Sequence, residues 1–389
     1  MNPSDAKQKF VVATPARTIY YNAYARTLDG IGQLRFYALG TRRGIPEVPP
    51  ERTRLLPAFG LANFAAAKML SQFRAESFRF RLHPWFDACV KKQLIPGDHI
   101  ISSYGYVNEC FKFARQNGGK TFLDAGNSHP EYFWNIISEE HRCWNCPMPP
   151  VARHHYERSR AMMEHVDFVL SPSHYVTESF LEHGFKPEQI LYNPFPVNLE
   201  LFRPQTGPRP KNRPLTIINT GSLSLRKGTP YLLEAFRIVR KKIPDARLQL
   251  MRIMQNDIKH ILPRFADLPV EWSSPLPHSQ LVERLHGADI FVLPSLEEGL
   301  ARAACEAMAC GLPAILTPNT GANDFVRPGV NGEVVPIRDP QAIADAIFKW
   351  AEKILSPGWP PRVLFDTEPF SFEHFEREFI CQLRGIGLV

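Results

Sequence analysis

Apolar and polar positions in the second half of the chain alternate between short, continuous apolar runs and longer stretches with helical spacing. The apolar runs predict buried strands, and the stretches between them predict helices. Strands are predicted at residues 215–220, 247–253, 290–294 and 313–317, and helices at 230–242, 280–286, 297–311 and 341–354. Strands separated by helices of this length are typical of βαβ units, so we expect a parallel sheet.

The first half shows the same alternation less regularly, with strands predicted at residues 10–14, 34–39, 99–102, 121–124, 168–171 and 190–192. Residues 203–214, RPQTGPRPKNRP, contain four prolines and a glycine and are predicted to form a linker. The tail, residues 371–389, begins with a serine that can cap a helix, and its spacing predicts a final amphipathic helix. Two open parallel sheets joined by a linker leave a cleft between their strand ends, where such sheets bind ligands.

Length and composition agree with a globular protein of two domains, since the chain has 389 residues, of which 44% are hydrophobic and 22% charged. No apolar run is long enough to cross a membrane, and the polar N-terminus does not resemble a signal peptide. The seven cysteines are odd in number and lack the spacing of a disulfide framework. We therefore expect a cytoplasmic protein.

The net charge of +7 is concentrated in the first quarter of the chain. Residues 1–100 contain 15 lysines and arginines against seven acidic residues, whereas the remainder contains 31 against 32. Basic and large apolar side chains alternate between residues 64 and 92, which suits peripheral attachment to the anionic inner face of a membrane. The alternative is a pair of ordinary helices with a solvated basic face. Nucleic acid is not an expected partner, because no known reader motif accompanies the charge.

Cys143 and Cys146 form a CxxC pair, and His154 and His155 follow within a dozen residues. A small zinc site is one hypothesis for this arrangement. Free thiols are favoured, because a second matched pair is missing and the surrounding prolines indicate a loop.

Residues 221–230, GSLSLRKGTP, lie after a predicted strand and before a predicted helix. Small residues let the backbone approach a ligand, the helix start supplies N–H donors, and Arg226 and Lys227 add positive charge. This composition indicates diphosphate binding, although the GxxxxGK[ST] order of a P-loop is missing. The alternative is an exposed turn with incidental basic residues.

Residues 297–311, EEGLARAACEAMACG, place an acidic pair at a predicted helix start, where free N–H groups favour an anion. Glu298 and Glu306 are eight residues apart, close to two helical turns, so we expect them on roughly one helix face. Glu297 has no assigned role. A third segment, NTGANDFVRPGVNGEVVP at residues 319–336, contains three glycines and follows a predicted strand.

The order and spacing of these three segments resemble the family-4 retaining glycosyltransferases, whose signature of Glu, seven residues, Glu fits Glu298 and Glu306. The match includes EAMACGLP at residues 306–313, and residues 165–204 resemble the end of the family's first domain. The resemblance covers residues 165–350 well and the earlier part poorly. It implies the α/β GT-B architecture, in which two Rossmann-like domains face each other across a cleft. The implied division is an acceptor-side domain at 1–202, a linker at 203–214, a donor-side domain at 215–370, and a helix at 371–389 that packs back on the first domain.

The resemblance also implies roles for individual residues. Lys227, with Arg226, would neutralise the leaving diphosphate, while Glu306 would accept hydrogen bonds from the ribose hydroxyls and Glu298 from the donor-sugar hydroxyls. Ser222 stands where the family usually has arginine, and Ala301 where it commonly has glycine. The complete donor-binding set that the resemblance implies is Gly221, Ser222, Arg226, Lys227, Glu298, Gly299, Leu300, Ala301 and Glu306.

In the first half, His129 corresponds to a histidine that the family places at a strand end, in contact with the donor sugar. Together with Glu298 and Lys227 it is a predicted catalytic residue, and the alternative is a histidine that only stabilises a loop. Asn127, Tyr132 and Trp134 are predicted to line the acceptor side, although aromatic residues at this spacing are also typical of a core. The family's glycine-rich loop after the first strand is absent.

No Asp-x-Asp pair occurs in the chain, so we expect neither a metal nor another cofactor, and basic residues and helix N-termini would hold the diphosphate. The hypothesis is a retaining transferase of polysaccharide biosynthesis that moves a sugar from a UDP- or GDP-linked donor to a glycan, a lipid-linked or a small-molecule acceptor. The alternatives are a sugar-nucleotide epimerase, a sugar-phosphate synthase, and a catalytically silent protein that binds a sugar nucleotide or a membrane. The base is expected to be read mainly by backbone near residues 274–277.

Overall fold

A computed structural model describes residues 8–16, 18–41, 43–70, 72–205, 213–251, 254–356 and 363–389. The first domain has a sheet of seven parallel strands in the order β3-β2-β1-β4-β5-β6-β7. Its strands are β1 (Phe10–Thr14), β2 (Leu34–Leu39), β3 (Thr53–Leu55), β4 (His99–Ser102), β5 (Thr121–Asp124), β6 (Phe168–Ser171) and β7 (Ile190–Tyr192). Its helices are α1 (Ile19–Gly30), α2 (Pro57–Met69), α3 (Gln72–Lys91), α4 (Asn108–Gln116), α5 (Pro130–Cys143), α6 (Pro150–Met163) and α7 (His174–Leu181).

The second domain has a sheet of six parallel strands in the order β10-β9-β8-β11-β12-β13. Its strands are β8 (Thr216–Asn219), β9 (Arg247–Met251), β10 (Val270–Ser273), β11 (Ile290–Leu293), β12 (Ala314–Leu316) and β13 (Gly332–Val334). Its helices are α8 (Thr229–Lys242), α9 (His278–Gly287), α10 (Arg302–Ala309) and α11 (Pro340–Leu355), and the chain ends with α12 (Phe372–Gly385). The predicted α/β class with two Rossmann-like domains is confirmed.

Each sheet is covered by helices on both faces, which accounts for the continuous apolar character of its central strands. All four residues of β8 and of β11 are buried, and separate apolar clusters occupy the two faces of each sheet. The strand order reverses between β1 and β4 in the first sheet and between β8 and β11 in the second. Ligands of open α/β sheets bind at such reversals, beyond the carboxyl ends of the strands.

Helix α12 follows the second domain in sequence but packs on the first. Ser371 caps the helix by accepting a hydrogen bond from the backbone N–H of His374 at 3.0 Å. Phe375, Phe379 and Leu383 are fully buried in a cluster with the side chains of α1, and the ring centroids of Tyr24 and Phe375 lie 4.9 Å apart. The chain therefore returns to the first domain at its end, as expected.

The ten strands expected from continuous apolar runs are all present, with ends that differ by two residues or fewer. Three further strands, β3, β10 and β13, were not predicted. Each lies at an edge of its sheet, and most of its residues are half-buried or exposed, so no apolar run marks it. Residues 206–212 of the expected linker, and residues 252–253 of an expected strand, lie outside the described residues.

The helix expected over residues 297–311 begins later, because α10 starts at Arg302. Glu298 therefore lies in the loop before the helix, and the expectation that Glu298 and Glu306 share one helix face is wrong. Within the parts of the chain that the structure describes, no helix has both the length and the apolar character needed to span a membrane.

Candidate active site

Two loops meet at the strand reversal of the second domain. The loop of residues 220–228 follows β8, the loop of residues 294–301 follows β11, and the N–H of Leu296 donates to the carbonyl of Arg226 at 2.8 Å. The two backbones approach so closely at Gly228 that a Cβ there would collide with the carbonyl of Pro294, and Gly228 has a φ of +66°. A glycine is therefore required for the loops to meet.

Four charged side chains form an ionic cluster where these loops meet. Arg226 Nη1 lies 3.2 Å from Glu297 Oε2 and contacts Glu298 Oε1, and Lys227 Nζ contacts the same oxygen of Glu298. The Arg226 Nη1 also donates to the carbonyl of Glu297 at 2.8 Å. Three of the predicted donor-binding residues are thus brought together, and Glu297, which had no assigned role, is part of the same cluster.

Burial and neighbouring charges have opposite effects on the pKa values of the cluster. Burial alone would raise the pKa of Glu298, but Arg226 and Lys227 outweigh it and hold the pKa below its ordinary value. Burial lowers the pKa of Lys227 in spite of its contact with Glu298. Burial also raises the pKa of Glu297, because the positive charge of Arg226 only partly compensates for desolvation. Glu298 is therefore the carboxylate that the cluster keeps ionised.

Glu297 links the two domains. Its Oε1 accepts hydrogen bonds from the backbone N–H of Ser128 at 2.9 Å and from the Ser128 hydroxyl at 3.0 Å. The side chain is completely buried, so these donors and Arg226 replace the water that the carboxylate loses. The sequence offered no signal for this role beyond the pairing of two acids, because Ser128 lies 169 residues away along the chain.

Further contacts close the cleft around the cluster. The Ser173 hydroxyl donates to the carbonyl of Gly299 at 2.6 Å, and a Cβ on Gly299 would collide with the carbonyl of Gly126. Farther along α5, Glu140 accepts hydrogen bonds from Arg338 and from the hydroxyl of Tyr231, both at 2.7 Å. The structure is therefore a closed form, in which the two domains contact each other directly.

The backbone of residues 299–301 is only partly free to bind an anion. The N–H of Ala301 donates to the carbonyl of Thr320 at 3.4 Å. Among the described residues, no hydrogen bond is made by the N–H groups of Gly299 and Leu300. Of the three N–H groups that the resemblance directs at a phosphate, two remain available.

Glu306 is separate from the ionic cluster. It lies within α10, and burial raises its pKa to about 7, although the charge of Arg302 opposes this. Within the described part of the chain, its carboxylate has no hydrogen bond or ion pair. Glu298 and Glu306 therefore differ sharply, because two cations neutralise the first and no described partner engages the second.

His129 faces the interior of the first domain. Its Nδ1 accepts a hydrogen bond from the backbone N–H of Glu131 at 3.3 Å, which caps α5, and its ring stacks on that of His183 with centroids 4.1 Å apart. Burial, aided by His183, lowers its pKa to about 3, so the imidazole is neutral near pH 7. The catalytic role that the resemblance implies for His129 stays a prediction.

The predicted acceptor-side residues separate into two groups. Asn127 and Trp134 line a cavity of about 330 Å³ in the cleft, together with Ser222 and Arg226 of the second domain. Trp134 stacks on Tyr156 with centroids 4.7 Å apart. Tyr132 is not part of this lining and instead packs edge-on against Tyr175.

A second cavity, of about 340 Å³, lies within the second domain at the carboxyl ends of β8, β9 and β10. Thr220, which directly precedes Gly221, lines it together with Trp272, Ser273, Leu276 and Arg284. This cavity therefore includes part of the segment expected to contact a base.

The CxxC segment does not assemble a metal site. Cys143 is exposed at the end of α5, Cys146 is half-buried, and both are free thiols. Among the residues that the structure describes, no group of three or more histidine, cysteine, aspartate or glutamate side chains is placed to hold a metal ion.

Comparison with solved structures agrees with the two-domain α/β fold described above. Sucrose-phosphate synthase from Thermosynechococcus elongatus superposes with a TM-score of 0.67 at 20% identity, covering 98% of this chain and 99% of that one. Anabaena HepE, solved in complex with UDP, superposes with a TM-score of 0.64 at 13% identity, covering 97% and 100%. At these identities the likeness shows the fold alone, which is the GT-B architecture.

The family described as glycosyl transferases group 1 matches residues 214–353. A D-inositol 3-phosphate glycosyltransferase of Acidothermus cellulolyticus is 26% identical over 370 residues, which cover 87% of this chain and 78% of that protein. A putative colanic acid biosynthesis glycosyltransferase of Salmonella typhimurium is 27% identical over 177 residues, 43% of each chain. The chain thus spans less than half the length of the latter relative. Together these matches support a place for the chain in the glycosyl transferases group 1 family.

Proposed function

We propose that this protein is a family-4 retaining glycosyltransferase, which moves a sugar from a UDP- or GDP-linked donor to an acceptor in the cleft without a metal ion. The observation that carries the proposal is the cluster of Arg226, Lys227 and Glu298 at the strand reversal of the second domain. The relatives named above support the transferase activity. Two further solved structures support the donor class: HepE bound to UDP and glucose, and an Escherichia coli protein bound to UDP-2-fluoro glucose.

The ionic cluster provides a way to bind a diphosphate. Without a donor, the charges of Arg226 and Lys227 are satisfied by Glu298. A diphosphate carries more negative charge than one carboxylate, so it would compete for both cations. Glu298 would then be released to accept hydrogen bonds from the donor sugar, while the N–H groups of Gly299 and Leu300 would donate to a phosphate oxygen.

Glu306 is suited to bind the ribose, because it is a half-buried carboxylate with no described partner. Two ribose hydroxyls would supply the hydrogen bonds that this carboxylate lacks, and each bond to a charged acceptor contributes about 1.5–3 kcal/mol. The cavity lined by Thr220, Trp272 and Ser273 would hold the base. Residues 220–228 reach from this cavity, which Thr220 lines, to the cleft cavity, which Ser222 and Arg226 line, and a diphosphate would join nucleoside and sugar along this loop.

The reaction proposed is a displacement on one face of the sugar. The bond between the anomeric carbon and the phosphate oxygen breaks, the acceptor oxygen bonds to the same carbon, and the acceptor proton passes to the departing phosphate. Lys227 and Arg226 would stabilise the charge that develops on the leaving group. The closed cleft would exclude water, which otherwise competes with the acceptor.

A panel of UDP- and GDP-sugars tests this proposal. Thermal shift identifies the donor, since a matched ligand stabilises the fold by mass action, and NMR then follows slow hydrolysis of that donor. We expect free sugar with the anomeric configuration retained. Inverted sugar would contradict the retaining mechanism, an epimerised nucleotide sugar would favour the epimerase alternative, and binding without any released sugar would favour a silent binding protein. The sugar-phosphate synthase alternative predicts transfer only to sugar phosphates.

We further propose that α2 and α3 bind an anionic membrane surface. On α2, Leu61, Phe64 and Lys68 follow helical spacing and are exposed, and the Lys68 ammonium lies 4.8 Å from the centroid of the Phe64 ring. On α3, Phe78 and Trp85 are exposed together with two arginines, Arg79 and Arg81. Apolar side chains among basic ones suit the boundary between lipid headgroups and acyl chains.

Sedimentation with vesicles tests the membrane proposal. We expect binding to phosphatidylglycerol-containing vesicles that weakens with salt, and little binding to phosphatidylcholine alone. Phe64→Glu should reduce this binding at least fivefold. Leu355→Glu is the matched control, because Leu355 is exposed to a similar extent (51% against 55%) but lies on α11. Equal binding by both variants, or no binding of the unmodified protein at low salt, would contradict the proposal.

A further inference from the structure

The cleft cavity has one wall that is mainly apolar, although Asn127, Ser128 and His155 also line it. This wall belongs to the first domain, and it is formed mainly by Phe133, Trp134, Ile137, Met148, Pro149 and Val151 of α5, α6 and the segment between them. Phe80 of α3 also lines the cavity, and α3 is one of the two helices that bear the exposed apolar and basic side chains. A ligand without any hydrocarbon group would leave the apolar side chains of this wall uncovered.

The opposite wall belongs to the second domain and is polar. Ser222, Arg226, Gln255 and Asp257 line it. Asp257 Oδ2 accepts a hydrogen bond from the N–H of Leu225 at 3.1 Å, whereas its Oδ1 is buried and has no hydrogen-bond partner among the described residues. The polar wall therefore places hydrogen-bonding side chains in the same cavity as Arg226 of the ionic cluster.

We propose that the acceptor is an amphiphile, in which a hydrocarbon group lies directly beside the reactive hydroxyl. The hydrocarbon group occupies the apolar wall, and the hydroxyl is directed to the polar wall and the donor site. This inference rests on the proposed transferase function, because it assigns the acceptor of that same site. The hydrocarbon group can be an alkyl or prenyl chain, or an aromatic ring, since both would pack against this wall.

Binding of simple probes tests the cavity without any donor. The probes are octyl β-glucoside below its micelle-forming concentration, phenyl β-glucoside and free glucose, and saturation-transfer NMR measures their binding. Burying each methylene group contributes about a three- to fourfold gain in affinity. We therefore expect at least one hydrophobic glucoside to bind ten times or more tightly than glucose, and the stronger of the two identifies the chain or the ring as the occupant.

Substitutions in the apolar wall locate the binding. Val151→Asp places a charge in the cavity and should weaken the preferred glucoside at least tenfold. Val330→Asp is the matched control, because Val330 is 63% exposed on the second domain and does not line the cavity. Ala152→Phe is a second variant that fills the cavity without a charge, and we expect the same loss. Both lining positions are only half-buried, and circular dichroism checks that each variant is folded.

The outcomes separate this inference from the proposed function. Equal affinity for glucose and both glucosides, or unchanged glucoside binding in folded Val151→Asp and Ala152→Phe, would overturn the inference. If a nucleotide-sugar donor is used but free sugars accept as well as their hydrophobic glycosides, the inference fails while the transferase function stands. If no donor is bound and the glucosides still bind at this wall, the transferase function fails instead, and the cavity remains a site for an amphiphile.

Discussion

The two sides of the cleft differ in chemical character. On the second domain, Arg226, Lys227, Glu297 and Glu298 form a small ionic network whose geometry depends on the contact between two loops. On the first domain, the facing surface consists mainly of aromatic and aliphatic side chains. Charged recognition requires particular residue types at particular positions, whereas an apolar surface can be built in many ways. The proposed donor side therefore has a readable motif, and the proposed acceptor side does not.

Removing Lys227 should have the largest effect, because it is the lysine that the cluster places at the expected leaving group. We expect Lys227→Ala to lower the transfer rate by about 10²–10³-fold, the range typical for the loss of one stabilising donor in an active site. The measurement is the initial rate of transfer, or of donor hydrolysis, at saturating donor. Lys349→Ala is the control, since Lys349 forms a half-exposed ion pair with Glu333 at 2.7 Å on the same domain. Comparable losses in both variants would contradict the assignment.

Glu306→Gln should have the second-largest effect, and this effect should be a loss of donor affinity. An amide of the same size loses the charged acceptor, so we expect affinity for UDP or GDP, whichever stabilises the protein, to fall about tenfold to 100-fold. Calorimetric titration measures this change. Unchanged nucleotide affinity would show that Glu306 does not contact the ribose.

The same glutamate predicts a dependence on pH. Its pKa of about 7 in the folded protein lies above its ordinary value of 4.5, so the folded state binds more protons between these values. The free energy of unfolding should therefore fall as pH rises from about 4.5 to 7. Nucleotide affinity should rise over pH 6 to 8, because the ionised carboxylate accepts hydroxyl protons better. Urea unfolding and titration of Glu306→Gln should both lack this component, and an identical pH profile in that variant would contradict it.

Ser128→Ala should have the smallest effect, because it removes only one of the contacts between the two sides. Glu297 keeps the N–H of residue 128 and Arg226 as partners, so we expect a loss of about 0.5–1.5 kcal/mol in donor affinity. Small-angle scattering should report a larger population of open molecules. Ser356→Ala is the control, as the Ser356 hydroxyl bonds only locally to the carbonyl of Lys353 at the end of α11. An unchanged affinity and shape in Ser128→Ala would mean that Glu297 does not control closure.

The difference between recognisable motifs and unmarked surfaces also explains what the sequence could predict. Central strands were found because burial on both faces makes them continuously apolar, and the edge strands β3, β10 and β13 were missed because their partial exposure removes that pattern. Arg226, Lys227 and Glu298 were singled out by their motifs, and the structure brings the three together. The link between Glu297 and Ser128 could not be found, since it depends on how two distant loops meet. The start of α10 was placed too early because an acidic pair before alanines is typical of a helix N-terminus.

The return of α12 to the first domain has a mechanical consequence. The chain leaves the first domain after residue 205 and returns to it before α12. The N–H of Val197 donates to the carbonyl of Phe370 at 2.8 Å, so the return is anchored beside the end of the first domain. Two neighbouring tethers resist torsion more strongly than a single tether and leave bending about one axis as the easiest motion. Opening of the cleft should therefore be a hinge rotation of the two domains about one axis. Such a motion returns the same two surfaces to the same relative position each time the cleft closes.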